Sequence, residues 1–369
     1  MSVALLLLLE HRTDSYGVAG IAVASYNFSF SMVAPLMGRL VDRADPRRVL
    51  MAGGVAQLTA IAVLLAVVHV SSVPWQLVLV SILVGISPPP PITACMRALW
   101  PRLVGSAQRA SAYSLEAALT EVVFIGGPLI VGALTALASP AVALAAAGAL
   151  GATGALAMAL AHPPVERVAG QRVARHWAGP LAHPPFRVLV PVTVCSAAAL
   201  GLLEIAVIAE ATDAGVPALA GVLLGVVACG SLAGGLWYGG RTWSADAGRQ
   251  YGWVLAAFAL CLVPLVFASD IAALAALLAI AGMMIAPVGT VQGQLVAALA
   301  PSNVRTEAFT WINTGNFAGF SLGMAFGGTL IELGGSASSF AAAAAAAAIA
   351  AVLAARARAL ASHAVVTPA

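Results

Sequence analysis

The chain has 369 residues, 61% of them hydrophobic and only 8% charged, against roughly 45–50% and about 25% in soluble domains. So few charges cannot clothe a water-exposed surface, which excludes a soluble globular protein. The formal charge of +3 is spread over short loops without interleaved aromatics, which excludes a nucleic-acid face. Cys95, Cys195, Cys229 and Cys261 form no CxxC pair and lie in or at the ends of apolar stretches, as inert thiols do.

A helix needs about 20 mostly apolar residues to cross a bilayer. In chain order, spans are predicted near 16–38, 49–70, 74–96, 110–135, 140–161, 187–211, 217–240, 251–268, 271–299, 308–331 and 338–355. Ahead of them Met1–Leu9 is apolar but too short to cross, and it ends at Glu10-His11-Arg12. The expectation is a first helix that is incomplete, its start shortened or lying upstream of Met1, in a bundle of twelve ancestral spans. No basic n-region or small-residue cleavage site points to a signal peptide.

The 17 basic residues are all arginines. Counting the partial helix as the first, Arg39, Arg43, Arg47 and Arg48 follow the second span, and Arg97, Arg102 and Arg109 follow the fourth. Arg167, Arg172, Arg175 and Arg187 follow the sixth, Arg241 and Arg249 the eighth, Arg305 the tenth, and Arg356 and Arg358 the last. Only Arg12 departs from this alternation. Arginines are retained in cytoplasmic loops because a cation crosses lipid at high cost and the inner leaflet is anionic. Both termini are therefore expected in the cytoplasm of a multi-pass protein of the inner membrane.

The polar stretch 162–186, HPPVERVAGQRVARHWAGPLAHPPF, bisects the chain. It predicts a cytoplasmic linker between a transmembrane bundle at 1–161, whose first helix is incomplete, and a second bundle at 187–355, with a tail at 356–369. The halves repeat. Arg109–Leu134 overlies Arg305–Leu330 at an offset of 196, matching Tyr113 to Phe309, Phe124 to Phe320, Gly127 to Gly323 and Gly132 to Gly328. At nearly the same offset Gly38-Arg39-Leu40-Val41 overlies Gly235-Leu236-Trp237-Tyr238. Parallel halves of about six spans imply two bundles related by an axis along the membrane normal.

The sharpest local signal is Gly38-Arg39-Leu40-Val41-Asp42-Arg43-Ala44-Asp45-Pro46-Arg47-Arg48. Its glycine permits close helix packing, and Asp42 can either accept from backbone N–H groups at a helix N-terminus or pair with an arginine. This segment resembles the loop between the second and third helices of the major facilitator superfamily, G-x-L-x-D-R-x-G-R-R, with Gly38, Leu40, Asp42, Arg43 and Arg47 in its places. Asp45 replaces the second glycine and Pro46 the next arginine. The resemblance implies an all-α fold of two six-helix bundles, here eleven full spans and a partial one. It also implies a charge relay that locks the cytoplasmic gate with the outer side open, a role carried to Asp42 and Arg43 and extended to Arg47 and Arg48.

In the fifth span Phe124-Ile125-Gly126-Gly127-Pro128-Leu129-Ile130-Val131-Gly132 resembles a loosened G-P-x-x-G-G element of the superfamily's exporters. There Gly127 and Gly132 would let helices approach and Pro128 would bend the span. The in-span arginine of many proton-coupled exporters is absent, Arg97 lying at a helix end instead. The whole chain is similar to actinobacterial-type members with unassigned substrates.

Ionisable groups inside a span are costly unless they face a cavity or a partner. Glu121 near the middle of the fifth span, Glu116 closer to the cytoplasm and Glu204 in the seventh span are the candidates for proton coupling or substrate contact; Glu210 sits near the outer edge, where water reaches it. Glu116 and Glu121 lie some 140° apart around their helix, at about 100° per residue. Trp311, Asn313, Thr314 and Asn316 in the eleventh span, and Gln292 and Gln294 in the tenth, are candidates for substrate contact or helix bonding. Ser87-Pro88-Pro89-Pro90-Pro91 interrupts the fourth span and Pro287 falls at a comparable place in the tenth, marking hinges.

No histidine has metal-ligand spacing and no Gly-Lys-Ser/Thr loop is present, so neither a metal, a cofactor nor an enzymatic activity is expected. The leading expectation is a monomeric secondary active transporter, driven by protons, that exports an amphipathic or drug-like small molecule. The alternatives are a sugar or metabolite importer of the same superfamily, and a degenerate membrane sensor or scaffold that does not transport.

Overall fold

The computed structural model describes the chain except residues 14, 72, 88–90, 106–107, 162–178, 217–218, 242, 244, 269, 302–303 and 367–369. Among the described residues the architecture is helical throughout, without strands. It comprises α1 (Ser2–Thr13), α2 (Tyr16–Arg43), α3 (Pro46–Val70), α4 (Pro74–Ile86), α5 (Ile92–Leu103), α6 (Arg109–Leu137) and α7 (Pro140–Ala161). After the linker come α8 (Pro184–Asp213), α9 (Leu219–Gly239), α10 (Ala247–Leu262), α11 (Ile271–Gly282), α12 (Ile285–Leu299) and α13 (Arg305–Val366).

Helices start where a short polar side chain meets the orphan amides of a first turn. Asp45 caps α3 through the Arg47 N–H at 3.1 Å, Asp246 caps α10 through Arg249 N–H at 2.9 Å, and Asp270 caps α11 through Ala273 N–H at 2.8 Å. Proline at the first position completes the α3 start, because its missing donor costs nothing there.

Several predicted spans are divided. The fourth ends as a regular helix at Ile86 and resumes at Ile92; Pro88–Pro90 of the proline run lie outside the described residues. Arg97 and Arg102, expected in a loop, stand on α5, because helix geometry continues past the apolar stretch. The ninth span passes from α10 into a 3-10 turn, Val263–Phe267, where Pro264 supplies no amide for the α ladder. The tenth breaks at Met283-Met284, between α11 and α12. Pro287, the expected hinge, sits buried in the first turn of α12, where a proline is tolerated.

By length and apolarity, eight helical stretches among the described residues suffice to cross a membrane. One of them, Arg305–Arg356, has 52 residues and as a straight helix would reach about 78 Å, over twice the ~30 Å hydrocarbon core. It turns instead at Gly334 and Gly335, and Gly335 takes φ 71°, a left-handed value that a side chain disfavours. The Ser338 hydroxyl fixes the turn by donating to the Leu330 carbonyl at 2.7 Å.

The chain forms two compact units. The first contains Met1–Ala98, Phe124–Gly179 and Ser302–Thr310. Within it α3 packs on α7, α2 on α4, and α1 on both α2 and α7. Leu5, Leu9, Tyr26, Leu64 and Leu77 make its core, so the short α1 is buried although it is too brief to span.

The second unit contains Leu99–Val123, Pro180–Pro301 and Trp311–Ala369. There α9 packs on α11 and α12, α10 on α12, and α8 on α9, around Leu203, Phe258, Leu262, Leu278 and Phe340. Since these helices are apolar on every side, small residues decide which faces meet. At Gly230 and Gly234 an added Cβ would fall on the carbonyls of Ala279 and Met283.

Candidate functional site

The end of α2 and the beginning of α13 meet in the first unit, and their charges interlock. The Asp42 carboxylate accepts from two backbone donors, Thr306 N–H at 3.2 Å and Glu307 N–H at 2.8 Å. It therefore caps α13 from a distant part of the chain, meeting the positive end of that helix's dipole. One turn earlier, Arg39 donates to Glu307 Oε1 from Nη2 at 2.6 Å and from Nε at 3.0 Å. Glu307 is only 1% exposed, so this charge-assisted pair is largely shielded from water.

Two glycines close the cluster. Gly38 lies where a Cβ would strike the Thr310 side chain and the Glu307 Cα. Gly179, at the end of the linker, adopts φ 54°, and a Cβ there would fall on the Glu307 carboxyl group. Linker backbone thus covers the acidic partner of the ion pair.

The other charges of the loop are more exposed. Asp45 is engaged at the start of α3, and Arg48 approaches it only at 3.8 Å, with both side chains well exposed; such a surface pair contributes little. Arg43 and Arg47 are exposed.

A neutral counterpart occupies the second unit. The Ser111 hydroxyl donates to the Gly239 carbonyl at 2.6 Å, and the Ser114 hydroxyl donates to the Gly235 carbonyl. By the internal repeat Ser114 stands at the place of Thr310, Ser111 at that of Glu307, and Gly235 at that of Gly38. One joint is ionic; its repeat partner is built from hydroxyls.

Deeper in the second unit lies a polar network. Gln292 donates to Thr193 Oγ1 at 3.0 Å and to Tyr251 Oη at 3.2 Å, and it accepts from Asn316 at 3.4 Å. Both amide hydrogens of Gln292 and its oxygen are therefore occupied, binding four helices together.

Comparison with known proteins supplies the family. Residues 1–242 match the family model of the Major Facilitator Superfamily. The chain belongs to that superfamily. No curated protein matches the sequence. Among solved structures, the superfamily fold aligns with a bacterial homologue of the iron transporter ferroportin in an outward-facing state, at TM-score 0.75, 15% identity, and 97% and 99% coverage of the two chains. The human organic anion transporter MFSD10 (TETRAN) aligns at TM-score 0.73 and 16% identity over 92% of this chain and 84% of its own. The E. coli fucose:proton symporter FucP aligns at TM-score 0.68 and 12% identity over 96% and 97%. Superfamily members are transporters and not enzymes, and the chain is accordingly a multi-pass membrane protein.

Within this superfamily fold, the in-span candidates separate by whether their polar atoms are engaged. Glu116 accepts from Trp100 Nε1 at 2.9 Å and joins α5 to α6. Glu210, expected in water, is part-buried and bonded by the Ser336 hydroxyl beside the Gly334-Gly335 turn. Glu204 is half-buried and has neither a hydrogen bond nor an ion pair among the described residues. The indole Nε1 of Trp311 is buried without a partner among the described residues, and Asn313, two residues on, is half-buried. Glu204 and Trp311 are not brought together: Gly315 meets Thr193 and Gly327 meets Ile205, which separates their levels by on the order of 20 Å along α13.

The side chains of Glu121 and Pro128 lie outside the described residues. Gly127 and Gly132 do not make the close approach expected of them, since a Cβ at either would meet nothing within 4 Å among the described residues. Gly38, Gly230 and Gly234 are among the glycines that do make tight contacts, as is Gly323, the repeat partner of Gly127.

Sequence reasoning located Asp42 and left open whether it would cap a helix or pair with an arginine; its carboxylate accepts from the first turn of α13. That reasoning missed Arg39 and Glu307. The available signal was a carboxylate two residues after Arg305, at the very edge of the apolar span 308–331.

Proposed function

We propose that this superfamily member expels an amphipathic or drug-like compound from the cytoplasm in exchange for protons. It would work as a monomer with both termini inside, its bundles at 1–161 and 187–355 joined by the linker 162–186 and exposing the cargo to each side of the membrane in turn. The observation that carries alternating access is the cluster of Asp42, Arg39 and Glu307. It joins the α2–α3 loop to the start of a helix from the other half of the sequence, so these contacts must break before that end of the protein can open. Arg43, Arg47 and Arg48 hold the loop at the lipid surface and guide it back.

Proton coupling is assigned to Glu204, the in-span carboxylate left without a partner, with Glu121 as a second candidate on its depth. A carboxylate inside a span is costly unless a partner or water reaches it, so one without a protein partner is suited to exchange a proton with an opening aqueous path. Trp311 and Asn313 are assigned to cargo contact, because a buried donor without an acceptor is stabilised by a ligand that supplies one. Asn316 serves to orient Gln292.

The test uses purified protein in liposomes with an imposed pH gradient and ethidium as an amphipathic probe. Gradient-driven probe movement from the cytoplasmic side, accompanied by proton counterflow, is expected, and Glu204→Gln abolishes it. Unchanged flux in that variant removes Glu204 from coupling, whereas protons and solute moving in the same direction establish the importer reading.

A further inference from the structure

The connection between α9 and α10 carries a surface feature that the gate does not use. On α9, Trp237 is 43% exposed, and Arg241, four residues later, places its Cζ 4.4 Å from the indole centroid. On α10 the order is reversed: Arg249 comes first, and its Cζ lies 5.5 Å from the ring of Trp253, which is 59% exposed. Because α9 runs toward the connection and α10 away from it, the backbone of each arginine lies about one turn nearer the loop than that of its tryptophan, and each guanidinium reaches over its indole.

The two pairs flank a fixed platform. Trp243 in the loop stacks on Tyr238, with centroids 4.7 Å apart, and meets Trp237 edge-on at 5.7 Å. Its Nε1 donates to the Tyr238 carbonyl at 3.1 Å, and the Tyr238 hydroxyl bonds Gln250, the neighbour of Arg249.

The cations are not neutralised from within. Arg241 and Arg249 make no ion pair or side-chain hydrogen bond among the described residues, and the indole N–H groups of Trp237 and Trp253 are likewise without acceptors there. Asp246, the acid closest in sequence, accepts the Arg249 backbone N–H as the cap of α10. In the repeat-matched loop of the first half, Arg39 is consumed by Glu307; here Leu236 and Ser111 hold those places, so the counterpart of that ion pair is missing.

We infer that this connection binds the headgroup of an anionic phospholipid in the leaflet at that end of the protein. The guanidiniums take the phosphate oxygens, and the indole N–H groups, on residues farther from the loop, take the ester carbonyls. The charge is complementary, and the ordering from cation to indole follows the polarity gradient of the bilayer interface. A soluble anion would use the arginines but has no use for the indoles beneath them.

The test is native mass spectrometry of the full chain, purified and exchanged into mixed micelles of phosphatidylglycerol or phosphatidylcholine with matched acyl chains. Wild type is expected to retain phosphatidylglycerol about 25-fold better, each arginine being worth about fivefold in binding, and the double variant Arg241→Gln/Arg249→Gln to retain both lipids equally. Equal retention by wild type overturns the proposal whatever the variant does, as does a folded double variant that keeps the preference. Displacement of phosphatidylglycerol by millimolar inorganic phosphate also overturns it, marking the arginines as a soluble-anion site.

Discussion

Arg39 and Glu307 are separated by 268 positions in sequence yet share a hydrogen-bonded ion pair. Removing one member of such a shielded pair leaves the other uncompensated, which costs about 2–4 kcal/mol. Glu307→Gln is therefore expected to lower the detergent Tm by several degrees, and the exchange Arg39→Glu/Glu307→Arg to recover part of the loss. Gly179→Ala combines a left-handed φ, costing about 1–2 kcal/mol with a side chain, with a methyl directed at the Glu307 carboxyl. Its destabilisation should shrink in a Glu307→Ala background, and a double-mutant cycle measures that coupling. Additive effects would show that the linker and the ion pair are independent.

At the scale of elements, α9 and α11 touch backbone to backbone. Gly234→Val is expected to prevent a monodisperse peak in size-exclusion chromatography, because its side chain meets a carbonyl that cannot retreat. Gly225→Ala on the same helix, where a Cβ finds open space, should be tolerated. Capping tells a similar story across elements: Asp42→Ala removes two acceptors from the first turn of α13 and should cost about 1–2 kcal/mol, read as a lower Tm.

Much of this level was legible in sequence. Asp45-Pro46 announces α3, and the proline run announces the interruption between α4 and α5. The division between α11 and α12 was less legible, because Pro287 suggested a hinge where the first turn of a helix readily accommodates proline. Which glycines make close contacts was illegible for a related reason. In a helix that is apolar all round, composition does not reveal which small residue faces a neighbour, and only the packed helices settle it.

For the whole molecule, the arginine alternation carries the expected topology. Single cysteines placed at 45 and at 175 should react with a membrane-impermeant reagent from the same side of intact proteoliposomes; labelling from opposite sides would refute the proposed weave. The superfamily was legible from a single loop, since Gly38, Leu40, Asp42 and Arg43 keep its spacing. The chemistry of the site was less so, because Glu116, Glu204 and Glu210 look alike in sequence and differ only in what surrounds them. Two have donors beside them, and Glu204 has none.

The backbone of Gly179 lying against Glu307 has a further consequence, for ionic strength. Dissolved salt weakens attraction between charges that its ions can approach, within a Debye length of about 10 Å at 0.1 M. The Arg48–Asp45 contact lies open to those ions, whereas the Arg39–Glu307 pair has a peptide roof over its acidic end. Concentrated potassium chloride should therefore loosen the rim of the loop while its innermost bond holds, leaving α2 tied to the start of α13 after the surface contacts have gone.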